Sequence, residues 1–197
     1  MPEMKRYSRE ELLPLSKEFS GQIFIDLGCG ERKKQGYIGV DIFNAGGVDV
    51  LFDLSHGLPF EDNIIDGVYS NFFFEHVPNT IYLFQEVYRV CKHGATVEFC
   101  VPHYQSFTQY KDPTHKAIIP LEMVRYFSDE KWYGSDYGIN TNFKVINVQY
   151  AYLPPFRTLT SKWLFPLWPI TYPIVLFARR FLWNVVHSMT IKLKVIK

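Results

Sequence analysis

The chain has 197 residues, of which 47% are hydrophobic and 21% are charged; this balance predicts a single globular domain over residues 1–197 and excludes collagen-like, low-complexity and extensively disordered proteins. Three cysteines, an odd number, do not make a disulfide framework, and the N-terminus has no apolar signal-peptide core, so we expect a cytoplasmic protein. The net charge of +1 hides an asymmetry, because eight basic residues and no acidic residue follow Asp136, which leaves a charge of −7 for the preceding part.

Short runs of β-branched and aromatic residues, bounded by glycine, aspartate or proline, predict the strands of a buried sheet. In chain order these runs cover residues 22–27, 37–42, 49–53, 67–71 and 96–101. Before the last run, apolar residues at helical spacing predict a helix over 79–92 that ends at His93-Gly94. This βαβ order predicts an α/β fold with a mostly parallel sheet and right-handed crossovers.

The remainder of the chain predicts one more helix and a pair of strands. Residues 120–127 begin with proline, which suits the first turn of a helix. Residues 143–152 and 189–197 have strand patterns, and an apolar and basic insertion, at about 153–187, lies between them.

A glycine turn follows the first predicted strand, in the stretch FIDLGCGERKKQGYIGVDI. In open parallel sheets, ligands bind beyond the carboxyl ends of the strands, and glycines in the first turn let the backbone approach them. Gly28 and Gly30 suit such a turn, although a tight turn alone would also explain them. Dinucleotide sites have a third glycine where this chain has Lys33, so a pyrophosphate site is poorly supported.

Three aspartates indicate what the turn binds. Asp41 ends the second predicted strand, where it can accept hydrogen bonds from both ribose hydroxyls. Asp53 ends the third, where it or the adjacent backbone can meet an adenine amino group, or simply cap the next turn. Asp26 orders the glycine loop or contacts a cationic amino-acid group. An amino group, a ribose and an adenine without phosphate together describe S-adenosylmethionine.

Four motifs resemble, in order and spacing, those of class I S-adenosylmethionine-dependent methyltransferases: IDLGCG, YIGVDI, LPFEDNIIDGVYSNFFFEHV and EVYRVCKHGATVEFCVP. The resemblance is strong over residues 22–102 and loose over the rest. It implies a Rossmann-like fold with a C-terminal antiparallel hairpin, an apolar insertion before the last strand, and S-adenosylmethionine as cofactor. Residues 31–36 are shorter than the usual first helix, so we expect a turn there. The predicted cofactor contacts are Asp26, Gly28, Cys29, Gly30, Asp41, Ile42, Asp53, Leu54, Asn71 and His76.

Catalytic candidates follow the fourth and fifth strands. Glu75-His76 matches the family position that lines the boundary between cofactor and acceptor, although a structural hydrogen-bonding function would equally explain His76. Methyl transfer to an alcohol needs positioning and removal of a proton, and a histidine of pKa about 6.5 suits that base. We predict that His115 is the general base, that Asp112 orients it, and that His103 is the competing candidate.

Two alternatives remain open for this polar cluster. The segment KDPTHK contains a turn signal in Asp112-Pro113-Thr114 that needs no catalytic role. His76, His103, Asp112 and His115 would also suit a divalent metal, although they lack close ligand spacing, and we assign none of them as a metal ligand.

The insertion indicates contact with a membrane surface. Residues 163–178 contain no charge, but they are few for a membrane span, and Pro166, Pro169 and Pro173 would break a spanning helix. Tryptophans flanked by Arg179 and Arg180 are typical of a segment that lies on anionic lipid. Covering the sheet or forming a dimer interface would explain the same composition.

The acceptor is predicted by exclusion and resemblance. No recognition-helix pattern or zinc knuckle indicates a nucleic acid. An asparagine-proline-proline-aromatic motif of amino-group methylation is absent, since residues 71–74 are Asn-Phe-Phe-Phe, which favours oxygen. The chain is similar to members that methylate sugars or polysaccharides, so we predict O-methylation of a sugar, a glycan or another small-molecule hydroxyl. The alternatives are a lipophilic acceptor, such as a quinone or lipid, and a non-catalytic cofactor-binding partner protein.

Overall fold

The computed structural model describes residues 5–16, 21–128, 138–154, 156–159 and 168–197. One seven-stranded sheet organises this part of the chain. Its strands are β1 (Phe24–Leu27), β2 (Ile38–Asp41), β3 (Val50–Leu51), β4 (Ile65–Asn71), β5 (Cys91–Pro102), β6 (Phe143–Tyr152) and β7 (Val186–Val195). The described helices are α1 (Arg9–Leu12), α2 (Thr80–Val90), α3 (Phe107–Lys111), α4 (Leu121–Arg125), α5 (Phe156–Leu159) and α6 (Trp168–Phe181).

The sheet order is β3-β2-β1-β4-β5-β7-β6. β1 pairs in parallel with β2 and β4, and β4 pairs in parallel with β5. β7 runs antiparallel between β5 and β6. The predicted Rossmann-like fold, with a mostly parallel sheet and a C-terminal antiparallel hairpin, is therefore confirmed. Because the parallel strands share a direction, their carboxyl ends meet at one edge, and the loops after β1, β2, β3, β4 and β5 lie there.

Aromatic side chains fill the core between α2 and the sheet. The ring of Phe74 stacks on that of Phe99, with 4.6 Å between centroids, and the ring of Phe84 stacks on that of Phe127 at 4.2 Å. All four side chains are buried. Each buried ring of this size contributes about 1.5–3 kcal/mol through the hydrophobic effect. This core holds the loop that begins after β4 against the sheet.

The structure moves some predicted boundaries. α2 ends at Val90 and β5 begins at Cys91, so the predicted helix end at His93-Gly94 is wrong. Gly94 has the left-handed φ of +81° that is typical of helix ends, but here it lies within β5. Residues 31–36 contain no helix, as expected from their shortness. β3 has only two residues, and β7 begins at Val186, three residues before the predicted strand.

The segment between β6 and β7 contains α5 and α6. Pro169 and Pro173 both lie within α6, with Pro173 inside the helix, whereas Pro166 lies outside the described residues. The 14 residues of α6 extend about 21 Å, against about 30 Å of bilayer hydrocarbon. Among the described residues, no helix has the length and apolar character that a membrane span requires. The assignment of residues 1–197 to one domain stays a prediction.

Candidate active site

A pocket of about 430 Å³ opens at the carboxyl edge of the sheet. Its size falls within the range of about 300–1,000 Å³ for small-molecule sites. The loops after β1, β2, β3 and β4 form most of its wall, and Thr114, from the loop after β5, completes it. Of the predicted cofactor residues, six line the pocket: Gly28, Asp41, Ile42, Asp53, Leu54 and His76.

The turn at Gly28 admits only glycine. Its φ is +67°, in the left-handed region that side chains disfavour, and a Cβ built there would lie 2.4 Å from the Phe73 ring. The N–H of Gly28 donates to the carbonyl of Val40 at 2.9 Å, which fixes the turn against β2. A side chain here would enter the space between the turn and Phe73, which both line the pocket.

The carboxylate of Asp41 is held in place by the backbone. Its Oδ2 accepts a hydrogen bond from the N–H of Gly30 at 2.9 Å, and its Oδ1 accepts one from the N–H of Phe43 at 3.0 Å. Each carboxylate oxygen can accept more than one hydrogen bond, so both keep capacity for a ligand hydroxyl. Gly30 thus orients Asp41 and does not line the pocket itself.

Asp53 caps a turn and also lines the pocket, while its contact with the cofactor stays a prediction. Its Oδ1 accepts a hydrogen bond from the N–H of Ser55 at 2.9 Å and caps the turn Leu54–His56. Hydrogen bonds from Ser55 lower the pKa of Asp53 below its usual value, so the group is ionised at neutral pH. The same residue lines the pocket beside Leu54, which puts a carboxylate at this end.

Three other predicted cofactor residues lie off the pocket wall. Buried Asp26 accepts a hydrogen bond from the N–H of Lys34 at 2.7 Å, and burial raises its pKa to about 6. The Sγ of Cys29 lies 3.8 Å from the carbonyl of Gly47, and burial raises the thiol pKa to about 12. Asn71 is exposed at the end of β4. Asp26 orders the glycine loop, one of its two predicted functions, and all three assignments as cofactor contacts stay predictions.

Phe72 and Phe73 are pocket residues that the sequence analysis did not single out. Phe72 has a φ of +54°, an uncommon value for a residue other than glycine. Its N–H donates to the carbonyl of Cys100 at 2.9 Å, which holds this strained turn in place. Strained backbone clusters at functional sites. In the sequence, the run of phenylalanines after the fourth strand was the pattern that could have identified these two residues as part of the pocket.

His115 joins His76 beside the pocket. The backbone N–H groups of Lys116 and Ala117 donate to the carbonyl of Glu75 at 2.7 and 3.0 Å, so the loops after β4 and β5 are tied together. The ring centroids of His76 and His115 are 4.8 Å apart. The Nδ1 of His115 lies 2.8 Å from the carbonyl of Gln109. A carbonyl only accepts, so Nδ1 carries a proton, and in the neutral imidazole the lone pair is therefore on Nε2.

Asp112 contacts His115 and also forms the predicted turn. Its Oδ2 lies 3.9 Å from the Nε2 of His115. Its Oδ1 accepts hydrogen bonds from the N–H and the hydroxyl of Thr114 at 2.9 and 2.6 Å. These hydrogen bonds lower the pKa of Asp112 below its usual value. Asp112 is thus an ionised carboxylate within electrostatic reach of His115.

Glu75 is a buried acid with no hydrogen-bond partner for either carboxylate oxygen. Burial raises its pKa to about 7. Its ligand atoms and those of His76 and His115 lie within 4.8 Å of one another. The sequence analysis placed Glu75 near the site but gave it no separate role.

His103 lines a different pocket, of about 80 Å³, together with Glu122 and Arg179. It is buried, and burial lowers its pKa to about 4, with the charge of Arg179 acting in the same direction. Its assignment as the competing base stays a prediction. Among the described residues, the metal-capable group contains two of the four side chains considered, His76 and His115, and Glu75 in place of the others.

A family profile described as a methyltransferase domain matches residues 25–99. No curated protein sequence matches the chain significantly. Among solved structures, an S-adenosylmethionine-dependent methyltransferase from Archaeoglobus fulgidus is 20% identical, with a TM-score of 0.57 over 94% of this chain and 92% of that one. A putative methyltransferase from Haloferax volcanii, in complex with the Trm112 methyltransferase activator, is 18% identical, with a TM-score of 0.55 over 95% and 88%.

Phosphoethanolamine N-methyltransferase 2 from Haemonchus contortus, in complex with S-adenosyl-L-methionine, is 15% identical, with a TM-score of 0.52. The match covers 96% of this chain and 52% of that one. At these identities the solved structures show the fold alone. The matched domain spans β1 to β5, the part of the chain that forms most of the pocket.

The pocket residues suit S-adenosylmethionine. The glycine turn would be filled by a single Cβ, the oriented carboxylate of Asp41 suits ribose hydroxyls, and the Asp53 end offers acceptors for an adenine amino group. This fit agrees with the matched domain and with the order of the sheet. Residues 25–99 accordingly match a methyltransferase domain, and the sheet has the fold of S-adenosylmethionine-dependent methyltransferases.

Proposed function

We propose that this enzyme methylates a hydroxyl group of a sugar, a glycan or another small molecule. The observation that supports this proposal best is the lone pair on the Nε2 of His115, held beside the cofactor pocket by the contact between Nδ1 and the carbonyl of Gln109. A neutral imidazole in this tautomer accepts a proton from an acceptor hydroxyl. Oxygen acceptors need such a base, because an alcohol does not lose its proton at neutral pH unaided.

Separate residues of the chain bind the cofactor and activate the acceptor. Asp41 holds the ribose hydroxyls, and the turn at Gly28 lets the backbone approach the ligand. When bound, S-adenosylmethionine supplies a methyl group on a positively charged sulfur. Transfer of that methyl group to the acceptor oxygen would break the carbon–sulfur bond and leave the cofactor as a neutral thioether. His115 takes the hydroxyl proton on Nε2, and the ionised Asp112 stabilises the resulting imidazolium.

Two measurements test this proposal. The first is calorimetric titration of the protein with S-adenosylhomocysteine, where His115→Gln should bind as the unchanged protein does. The second is methyl transfer to a panel of sugars, glycans and lipid-linked sugars, where His115→Gln should lose at least about 100-fold in kcat. Transfer that is undiminished in His115→Gln contradicts the assignment of the base. Tight cofactor binding without transfer to any hydroxyl compound would instead support a non-catalytic cofactor-binding protein.

A lipophilic or lipid-linked acceptor is the second candidate, because α6 presents apolar residues to solvent. Ile170, Ile174 and Phe177 recur at helical spacing and are 66%, 51% and 60% exposed. Val175 and Ala178, which lie on an adjacent face about 100° round the helix, are buried. The exposed Arg180 lies at the end of the same helix. Apolar residues beside arginine suit an anionic membrane surface.

Co-sedimentation with lipid vesicles tests this candidate. We expect the protein to sediment with vesicles that contain phosphatidylglycerol and to remain in solution with vesicles of phosphatidylcholine alone. The double substitution Ile174→Ser and Phe177→Ser should abolish sedimentation. Ile146→Ser is the matched control, since Ile146 is 47% exposed but lies on β6. Equal sedimentation of all three proteins contradicts a membrane contact through α6.

A further inference from the structure

The loops after β4 and β5 bring three metal-capable side chains to one place. The carbonyl of Glu75 accepts the backbone hydrogen bonds of Lys116 and Ala117, and this puts His115 against the Glu75-His76 pair. The ligand atoms of the three side chains lie within 4.8 Å of one another. His76 also lines the cofactor pocket, so the cluster borders the space in which methyl transfer takes place.

Both imidazoles are oriented in the same way. The Nδ1 of His115 donates to the carbonyl of Gln109. The Nδ1 of His76 lies 3.0 Å from the hydroxyl oxygen of Thr114 and 3.3 Å from its carbonyl. That hydroxyl donates its single hydrogen to Asp112, so Nδ1 of His76 must be the donor to Thr114. Each ring therefore keeps the lone pair of Nε2, and metal-binding histidines are commonly oriented by such a hydrogen bond from the other nitrogen.

Glu75 supplies the second, independent observation. Its side chain is fully buried, and neither carboxylate oxygen has a hydrogen-bond partner. Buried polar groups are nearly always paired, because an unpaired one forfeits its hydrogen bonds with water. A positive ion between Glu75 and the two histidines would pair this carboxylate.

We propose that Glu75, His76 and His115 bind a divalent transition-metal ion. Two imidazole nitrogens and one carboxylate oxygen suit Zn²⁺ or Co²⁺, whereas Mg²⁺ and Ca²⁺ prefer oxygen ligands. The ligand atoms of a tetrahedral site lie about 3.4 Å apart. Side-chain rotations that move each ligand atom by about 1 Å would therefore bring the three atoms to this spacing around an ion. Three protein ligands leave a fourth position open, as in catalytic zinc sites.

An ion at this position would replace one step of the proposed function, on which this inference rests: the ion, and not His115 as a free base, would promote loss of the hydroxyl proton. A hydroxyl next to a divalent ion loses its proton at lower pH. The acceptor proton would then leave to solvent water, the oxygen would bond to the methyl carbon, and His115 would act as a ligand of the ion. Asp112 and Thr114 would be positioning residues that orient His76.

Titration with Co²⁺ tests the site without cofactor or acceptor. Protein freed of metal with a chelator should bind one Co²⁺ per chain, with visible absorption bands, and Zn²⁺ should displace it. Glu75→Gln and His115→Gln should each weaken Co²⁺ binding by at least about 100-fold, since even removal of outer partners costs about 10–100-fold. His56→Gln is the matched control, because the His56 side chain is 74% exposed and contacts Asp53 instead.

Circular dichroism checks that each variant is folded. If Glu75→Gln does not fold, Co²⁺ binding by His115→Gln tests the proposal by itself. Absence of one-to-one Co²⁺ binding by the unchanged protein overturns the proposal, and so does unweakened binding by a folded variant. Titration of the same metal-free protein with S-adenosylhomocysteine reports on the cofactor pocket separately. Failure of the metal site and failure of the proposed function are thereby distinguished.

Discussion

Substitution of Gly28 by alanine tests how the glycine turn shapes the pocket. Two penalties add at this position. The φ of +67° is unfavourable for any residue with a Cβ, by about 1–2 kcal/mol. The added Cβ would also lie 2.4 Å from the Phe73 ring, and overpacking of this kind costs about 1–3 kcal/mol. We therefore expect Gly28→Ala to lower the free energy of unfolding by about 2–5 kcal/mol.

Gly30 is the matched control, because it separates the two penalties. Its φ is +51°, but a Cβ there meets no atom within 4 Å. Gly30→Ala should lower the free energy of unfolding by about 1–2 kcal/mol only. Gly46, with no left-handed φ and open space around its Cβ position, should tolerate alanine without loss.

Urea denaturation gives the three free energies of unfolding, and titration with S-adenosylhomocysteine gives the affinities. If the clash with Phe73 is the cause, the double variant Gly28→Ala with Phe73→Leu should recover part of the lost stability. Equal destabilisation by Gly28→Ala and Gly30→Ala would refute the reasoning, because the close approach to Phe73 would then contribute nothing.

Three further predictions concern the ribose site, the buried acid and the core. Asp41→Asn should weaken S-adenosylhomocysteine binding by about 10–150-fold, because a hydrogen bond to a charged group contributes about 1.5–3 kcal/mol; calorimetry should show no change for the exposed control Glu61→Gln. In metal-free protein, the pKa of Glu75 rises from 4.5 unfolded to about 7 folded, so between these values the folded state binds more protons. The free energy of unfolding should therefore fall as pH rises through this window, by up to about 3 kcal/mol, and urea denaturation of Glu75→Gln should show a flatter profile; parallel profiles would contradict this. Phe84→Ala, which removes the ring stacked on Phe127, should lower the free energy of unfolding by about 3–5 kcal/mol, and a loss below about 1 kcal/mol in urea denaturation would show that the core closes around the gap.

Part of the pocket wall was predictable because its position depends on where parallel strands end. Asp41 and Asp53 follow neighbouring strands, and parallel strands bring their carboxyl ends to one edge of the sheet. The glycine turn needs only a local signal, since positive φ angles favour glycine. Short-range patterns and one topological rule therefore placed six of the predicted residues on the pocket wall.

Strand boundaries were less predictable, because one local signal has two structural meanings. Gly94 has the φ of a helix end, but β5 already pairs with β4 at Cys91 and Ile65. The pairing partner lies far along the chain, so the local pattern does not reveal it. The position of Glu75 beside His115 has the same origin, since it depends on backbone hydrogen bonds between two loops.

The two halves of the site should therefore respond differently to substitution. The cofactor half is built on strand ends and on the turn at Gly28, which the sheet holds rigidly. The acceptor half consists of side chains on two loops that are joined through the carbonyl of Glu75. Changes at Asp41 should appear in cofactor affinity, whereas changes at His115 should appear in kcat with cofactor affinity preserved. Because the loops can vary while the sheet is kept, we expect the acceptor to depend on the loops after β4 and β5 and on the segment that contains α6.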